Sequence, residues 1–222
     1  MTNFNNSYIG IRPDLLKHIK GKNNIILDIG CATGSNGRYL LEHGIAQKII
    51  GAEYDQEMAE ISSQIYDKVY IGDLNDDEFI KKICGNTEKV DYILFGDVLE
   101  HLMDSQSVLA HLGTLLKENG EVIISVPNIA HIELFIQVYI RGTWPRNERG
   151  IFDKTHVTWF TKKDVYKMVE SAGLQIKTYD YNLRARDAIG SKFNFWLKVL
   201  KIINKNLFVF QHIVVAKKDK TK

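Results

Sequence analysis

The chain alternates short apolar runs with longer stretches in which apolar residues return every three or four positions. Ile25 to Ile29, Lys48 to Tyr54, Lys68 to Ile71, Val90 to Phe95 and Val122 to Val126 have strand length and strand composition. Helical patterns stand before and between them. Pro13 opens one over Asp14 to Lys20, Arg38-Tyr39-Leu40-Leu41 belongs to a second that stops at Gly44, and Asp55 caps a third over Gln56 to Ile65. Asn75 with Glu78 has capping-box spacing for a fourth helix closed by Gly85. A fifth runs from about Asp104 to Lys117 and stops at Asn119-Gly120. Strands and helices alternating at this spacing predict an α/β fold, a doubly wound parallel sheet with helices on both faces. The alternation breaks at Asn128 and resumes with a helix that Thr161 caps, Asp164 supports and Gly173 stops. Leu174 to Tyr181 and Leu207 to Ala216 follow as strands without a crossover, which predicts a terminal antiparallel pair.

Length and composition, 222 residues at 45 % apolar, fit one domain over residues 1–222 with additions at about 129–160 and 183–206. A formal charge of +2 gives no general attraction to nucleic acid, and no such partner is expected. Cys31 and Cys84 lack ligand spacing, so neither a disulfide nor a metal site is expected. The polar start M-T-N-F-N-N-S-Y has no apolar signal core, and no stretch approaches the roughly 18 apolar residues of a membrane span. A cytoplasmic location follows as the expectation.

The stretch Ile25 to Gly37, I-I-L-D-I-G-C-A-T-G-S-N-G, runs from a buried strand through a glycine-rich turn into a helix. A dinucleotide fingerprint requires glycines where Ala32 and Ser35 stand, so that reading fails, and with it a nicotinamide oxidoreductase. Asp28, just before the turn, would repel a pyrophosphate and suits a ligand carrying an ammonium group. The pattern D-x-G-x-x-x-G resembles the first motif of class I S-adenosylmethionine-dependent methyltransferases. The family usually has a glycine where Ala32 stands. The order of elements is similar to the family's along nearly the whole chain: a Rossmann-like sheet of five parallel βα units plus a terminal antiparallel pair.

The resemblance implies S-adenosyl-L-methionine as cofactor and a set of residues at the carboxyl ends of the strands. Asp28, Gly30, Cys31, Ala32 and Gly34 form its first loop. Glu53 would accept from the ribose hydroxyls, and Tyr54 would lie along the adenine. Gly72 and Asp73 end the third strand, where Asp73 would accept from the adenine amino group and Leu74 would offer its N–H. Gly96 and Asp97 would stand beside the amino acid part.

Gly96-Asp97-Val98-Leu99-Glu100-His101-Leu102 resembles the fourth-strand motif of small-molecule methyltransferases of the ubiquinone-pathway type. The [DN]-P-P-[YF] turn of base and amide methyltransferases is missing, which favours a hydroxyl or a free amine on a small molecule. A hydroxyl acceptor benefits from a general base, and His101, His131 and His156 fall near the expected site. Gly150 to Thr161, with Asp153 and His156, resembles a block in methyltransferases of polysaccharide gene clusters. Either Asp153 and His156 serve the chemistry or they hold this loop to the sheet. Arg141, Arg146 and Arg149 in the first addition and Arg184 and Arg186 in the second predict an anionic acceptor such as a nucleotide-linked sugar. A helical stretch from Lys192 to Lys205 is apolar on most sides, as a core or interface helix would be, with a membrane-surface helix as the alternative. The expectation is methyl transfer to a small-molecule hydroxyl, on a sugar or glycan precursor. The rivals are a non-catalytic S-adenosylmethionine-binding domain and a methyltransferase for a lipid-borne acceptor.

Overall fold

The computed structural model describes residues 9–187 and 195–219. A seven-stranded sheet runs through them. Its strands are β1 (Asn24–Ile29), β2 (Ala46–Glu53), β3 (Lys68–Ile71), β4 (Val90–Gly96), β5 (Leu116–Pro127), β6 (Leu174–Leu183) and β7 (Val209–Lys218). The spatial order is β3-β2-β1-β4-β5-β7-β6. The first five strands pair parallel, and β7 lies antiparallel between β5 and β6, as the missing crossover predicted. This is the class I methyltransferase arrangement.

The helices are α1 (Pro13–Leu16), α2 (Ser35–Glu42), α3 (Gln56–Ser62), α4 (Asp77–Gly85), α5 (Ser105–Gly113), α6 (Ile132–Leu134), α7 (Lys162–Ser171) and α8 (Phe195–Ile203). Neighbouring residues of the central strands enter opposite faces, so both faces of the sheet are apolar. Ile26, Leu94 and Ile123 pack with Leu15 of α1 and Leu40 of α2. Leu27, Ile93 and Ile124 pack with Ile83 of α4, Leu112 of α5 and Val165 of α7.

Three local expectations change. Asp76 caps α4, its side chain accepting from the Glu78 amide, because Asn75 is turned toward Asp73 and Met103 instead. Helix α5 ends at Gly113, and β5 already begins at Leu116. Val90 faces Leu116 while Tyr92 faces Glu121, so Lys117 to Gly120 form a bulge within the strand. A Cβ at Gly120 would lie 3.0 Å from the Val90 carbonyl oxygen, which explains the glycine. Helix α8 is not covered as a core helix would be, since Phe195, Ile202 and Ile203 are exposed. Lys192, Phe193 and Asn194 lie outside the described residues. Among the described residues no helix is long and apolar enough to cross a membrane.

The first addition leaves and rejoins the sheet at one point. Asn128 bridges to Phe160, and its side-chain amide donates to the Val209 carbonyl. Ile151 and Phe152 anchor the excursion on Phe210 of β7. Thr161 caps α7 as predicted, and together with Asp164 it forms a capping box.

Candidate cofactor and acceptor site

The carboxyl ends of β1, β2, β3 and β4 open into a cavity of about 800 Å³. At its floor β1 ends in Asp28 and Ile29, and the chain turns through Gly30 and Ala32, both at positive φ, 67° and 46°. Gly30 is required, because a Cβ there would meet Val98 Cγ2 at 2.4 Å. Ala32 bears the strain of a conformation that favours glycine, which explains the family's usual residue at this position. Its amide donates to Glu53 Oε2 at 2.8 Å, which helps to hold the turn. Glu53 Oε1 accepts from the amides of Tyr54 and Asp55, so one carboxylate organises the loops after β1 and β2.

Asp28 is buried, with Oδ2 accepting from the Tyr66 hydroxyl at 2.6 Å. The Tyr66 oxygen in turn accepts from the Gly37 amide at the start of α2. Burial pushes the Asp28 carboxyl up to about 7; the Tyr66 hydrogen bond opposes this and the nearby Glu53 charge adds to it. At the end of β3, Asp73 Oδ1 accepts from both the amide and the side chain of Asn75.

Asp97, after β4, has φ 62° and is held on every side. Its carboxylate takes Arg12 Nη1 at 2.6 Å, the Ser125 hydroxyl at 2.6 Å and Gln211 Nε2 at 2.7 Å. Arg12 also holds Asp14 through Nε and Nη2. Arg12, Ser125 and Gln211 escaped the sequence reading. Their partner lies far along the chain, and no local spacing signals such a contact.

Of the residues expected to meet the cofactor, Asp28, Gly30, Cys31 and Ala32 of the first loop line the cavity. So do Glu53 and Tyr54 after β2, Gly72, Asp73 and Leu74 after β3, and Gly96 and Asp97 after β4. Gly34 does not. It is the N-cap of α2 at φ 78°, and its Cα side packs on Tyr66 and Ile65.

Of the three catalytic candidates, only His101 lines the cavity, together with Thr155. His101 Nδ1 lies 3.1 Å from Thr155 Oγ1, whose hydroxyl donates to Asp153 Oδ1 at 2.7 Å. Asp153 is therefore buried behind Thr155 and holds the loop. His156 is buried as well, with Nδ1 3.3 Å from the Ile151 carbonyl and Nε2 3.9 Å from Glu100. His131 caps α6 and donates to the Arg184 carbonyl, away from the cavity lining.

None of the five arginines is among the residues lining the cavity. Arg186 forms a two-pronged pair with Glu133, at 2.6 and 2.9 Å. Arg184 lies over the Phe210 ring, and Arg141, Arg146 and Arg149 are exposed. Arg186 and Arg184 have acidic partners in the additions, Glu133 and Asp187, and the other three face outward, so the cluster seen along the sequence is not a cluster at the site.

A profile described as a methyltransferase domain matches residues 6–179. The chain belongs to this methyltransferase family. It is similar to the ubiquinone biosynthesis O-methyltransferase of Coxiella burnetii (strain RSA 493 / Nine Mile phase I), at 21 % identity over 75 % of this chain and 71 % of the relative. The protein of the same name from Glaesserella parasuis serovar 5 is 27 % identical over 88 % of this chain and 84 % of that one. Among solved structures, an S-adenosylmethionine-dependent methyltransferase from Archaeoglobus fulgidus superposes with a TM-score of 0.64 at 19 % identity. That match covers 91 % of this chain and 89 % of the other. A methyltransferase structure from Listeria monocytogenes gives 0.60 at 17 % identity, covering 94 % and 98 %. The methyltransferase uses S-adenosylmethionine as its methyl donor.

Asp28 predicts how this donor binds as pH changes. An acid whose folded pKa lies above its unfolded value, near 3.9, keeps its full stability contribution below that value and loses it as pH rises toward 7. A cation placed beside Asp28 reverses the preference, so cofactor binding at low pH must first release the proton. Affinity for S-adenosylmethionine is therefore expected to rise from about pH 5 to about pH 7, by at most tenfold per unit, and then level off. Titration calorimetry across this range on wild type and Asp28→Asn checks it. The variant should show a flat profile, and a flat wild-type profile would remove Asp28 from the ammonium contact.

Proposed function

We propose that the enzyme transfers the methyl group of S-adenosylmethionine to a hydroxyl of a small, uncharged acceptor that enters beside His101. The observation that carries this reading is one continuous cavity. It takes in the strand-end carboxylates Glu53 and Asp73 and also His101 with Thr155. Its volume of about 800 Å³ stands high in the roughly 300–1,000 Å³ range of small-molecule sites, leaving room for an acceptor beside the donor. Glu53 and Asp73 hold the adenosine end, Asp28 the ammonium end, and His101 meets the acceptor oxygen.

Oxygen as the methylated atom is supported by relatives named O-methyltransferases, and Gly96-Asp97-Val98-Leu99 standing where base and amide methyltransferases carry a proline turn speaks against those two acceptor classes. The block from Gly150 to Thr161 favours a sugar hydroxyl, and the names of the relatives favour a hydroxyl on an intermediate of ubiquinone biosynthesis. The placement of the arginines takes away the support for a nucleotide-linked sugar.

The test is a screen that reads S-adenosylhomocysteine release with alkyl glycosides, catechols and the matching amines. Turnover with a hydroxyl panel and none with amines is expected. Methylation of amines alone would overturn the oxygen reading. Tight cofactor binding without any turnover would leave the non-catalytic domain.

A further inference from the structure

We propose that Tyr66 is the positioning residue of the cofactor's ammonium site: by donating to one oxygen of Asp28 it sets the other against the cofactor, and its removal weakens S-adenosylmethionine most in mildly acidic solution. The proposal rests on the placement of the ammonium beside Asp28 argued above.

The starting point is the space around the ring. Tyr66 is buried in the turn between α3 and β3 and is not among the residues lining the cavity. Two glycines from other elements make room for it. A Cβ at Gly37 of α2 would lie 2.1 Å from Tyr66 Cε1, and one at Gly51 of β2 would lie 2.9 Å from Cδ2. Gly51 is the register partner of Asp28, so this clearing brings the ring up to the carboxylate. Phenylalanine would fill the same space. What tyrosine adds is one oxygen, which accepts from the Gly37 amide at 3.1 Å and donates to Asp28 Oδ2 at 2.6 Å.

Both bonds serve the site. Helix α2 has Gly34 at its N-cap, with no side chain to receive the first amides. The Tyr66 oxygen receives that of the third residue, Gly37, from across the fold. A hydroxyl that accepts at a helix start is polarised and donates more strongly. It donates to a carboxylate that is 3 % exposed and still lines the cavity. Oδ1 of that carboxylate has no hydrogen-bond partner among the described residues, which leaves it for the ammonium. Burial and the Asp28 charge keep the Tyr66 hydroxyl well above the usual tyrosine value, so it remains a donor throughout the neutral range.

A donor to the ionised form opposes the burial that favours the neutral acid. Without it Asp28 keeps its proton to higher pH, and the ammonium must displace that proton to bind. The loss is therefore large where Asp28 is partly protonated and fades where both proteins are ionised. Glu53 at the end of β2 and Cys31 after β1 are the other ionisable neighbours, and burial keeps the Cys31 thiol protonated. Leu94 of β4 and Gly37 of α2 carry no charge, and Arg12, which shares the cavity, is bonded to Asp14 and Asp97. None of these differs between wild type and a Tyr66 variant.

The test is titration calorimetry of the full-length protein with S-adenosylmethionine at pH 6, 7 and 8. It compares wild type, Tyr66→Phe, Asp28→Asn and the double variant. Tyr66→Phe is expected to bind about tenfold more weakly than wild type at pH 6 and within about twofold of it at pH 8. Titration of the cofactor's own amino group cancels in these ratios. In the Asp28→Asn background the same change should have no effect, because Tyr66 acts through Asp28. No loss, an equal loss at every pH, or the same loss in Asp28→Asn overturns the proposal. Those outcomes leave the ammonium reading in place, provided that wild-type affinity rises with pH and Asp28→Asn removes the rise. A flat wild-type profile removes that reading and overturns the proposal with it. If Tyr66→Phe fails to fold, 3-fluorotyrosine in place of Tyr66 alone decides by its fluorine resonance. A resonance that moves between pH 6 and pH 8 in the free protein and stays fixed with cofactor bound supports the proposal. One that is indifferent to both pH and cofactor overturns it.

Discussion

His101→Asn is expected to reduce kcat by 10²-fold or more, about 2.7 kcal/mol of transition-state stabilisation, while S-adenosylmethionine affinity stays at the wild-type value. His101 is the one histidine of the three candidates on the cavity wall, and Thr155 with Asp153 fixes its ring. Asparagine preserves the polar contact to Thr155 and removes the second nitrogen, the atom that the proposed function sets against the acceptor. The side chain is only half-buried, so the thermal midpoint should move little. His156→Asn differs in kind. His156 sits behind the wall between Ile151 and Glu100, and its loss reaches the acceptor only through those neighbours. Kinetics under saturating cofactor, with kcat and KM read separately, distinguish the two. A His101→Asn enzyme within threefold of wild type would remove the acceptor pose beside His101.

Much of the fold is legible because the central strands are apolar on both faces. Ile26 and Leu27 enter opposite cores, as do Ile93 and Leu94, so each strand appears as an unbroken apolar run. The strand-end carboxylates Glu53, Asp73 and Asp97 are legible for a related reason, since each is the first acid after such a run. The boundary between α5 and β5 is hidden. Leu115 and Leu116 continue the helical spacing of Leu109 and Leu112, and Asn119-Gly120 has the composition of a helix stop. The register against β4, which turns those residues into a bulge, is a tertiary fact.

The same limit applies to charges. Arginines gather along the sequence in both additions, but Arg186 meets Glu133 across 53 residues and Arg12 meets Asp97 across 85. Pairing decides whether a cation faces a ligand or a carboxylate, and local pattern carries no pairing. His101 and His156 show this at a single contact. Both precede small polar or apolar residues in plausible motifs, and only the path of the loop after Asp153 puts one on the wall and the other behind it.

Glu53→Ala is expected to weaken S-adenosylmethionine binding by about 1.5–3 kcal/mol, roughly 10- to 150-fold, the range for hydrogen bonds to a charged group. The effect has two physical sources. In the proposed site the carboxylate would accept from the ribose hydroxyls, and it already accepts from the amides of Ala32, Tyr54 and Asp55. Alanine loses both, and it frees a turn in which Ala32 is strained at φ 46°. The apo protein should therefore melt earlier as well. Glu53→Gln separates the sources, because its one carbonyl oxygen can serve the loop amides or the ribose but not both. An intermediate affinity with near wild-type melting is expected for it. Titration calorimetry and thermal denaturation on both variants settle the division. If Glu53→Ala melts early yet binds the cofactor as tightly as wild type, Glu53 is a fastener of the two loops and the ribose is held elsewhere. If both variants lose affinity while melting normally, the carboxylate acts on the ligand directly, and the loop hydrogen bonds are what pre-orders it before the cofactor arrives.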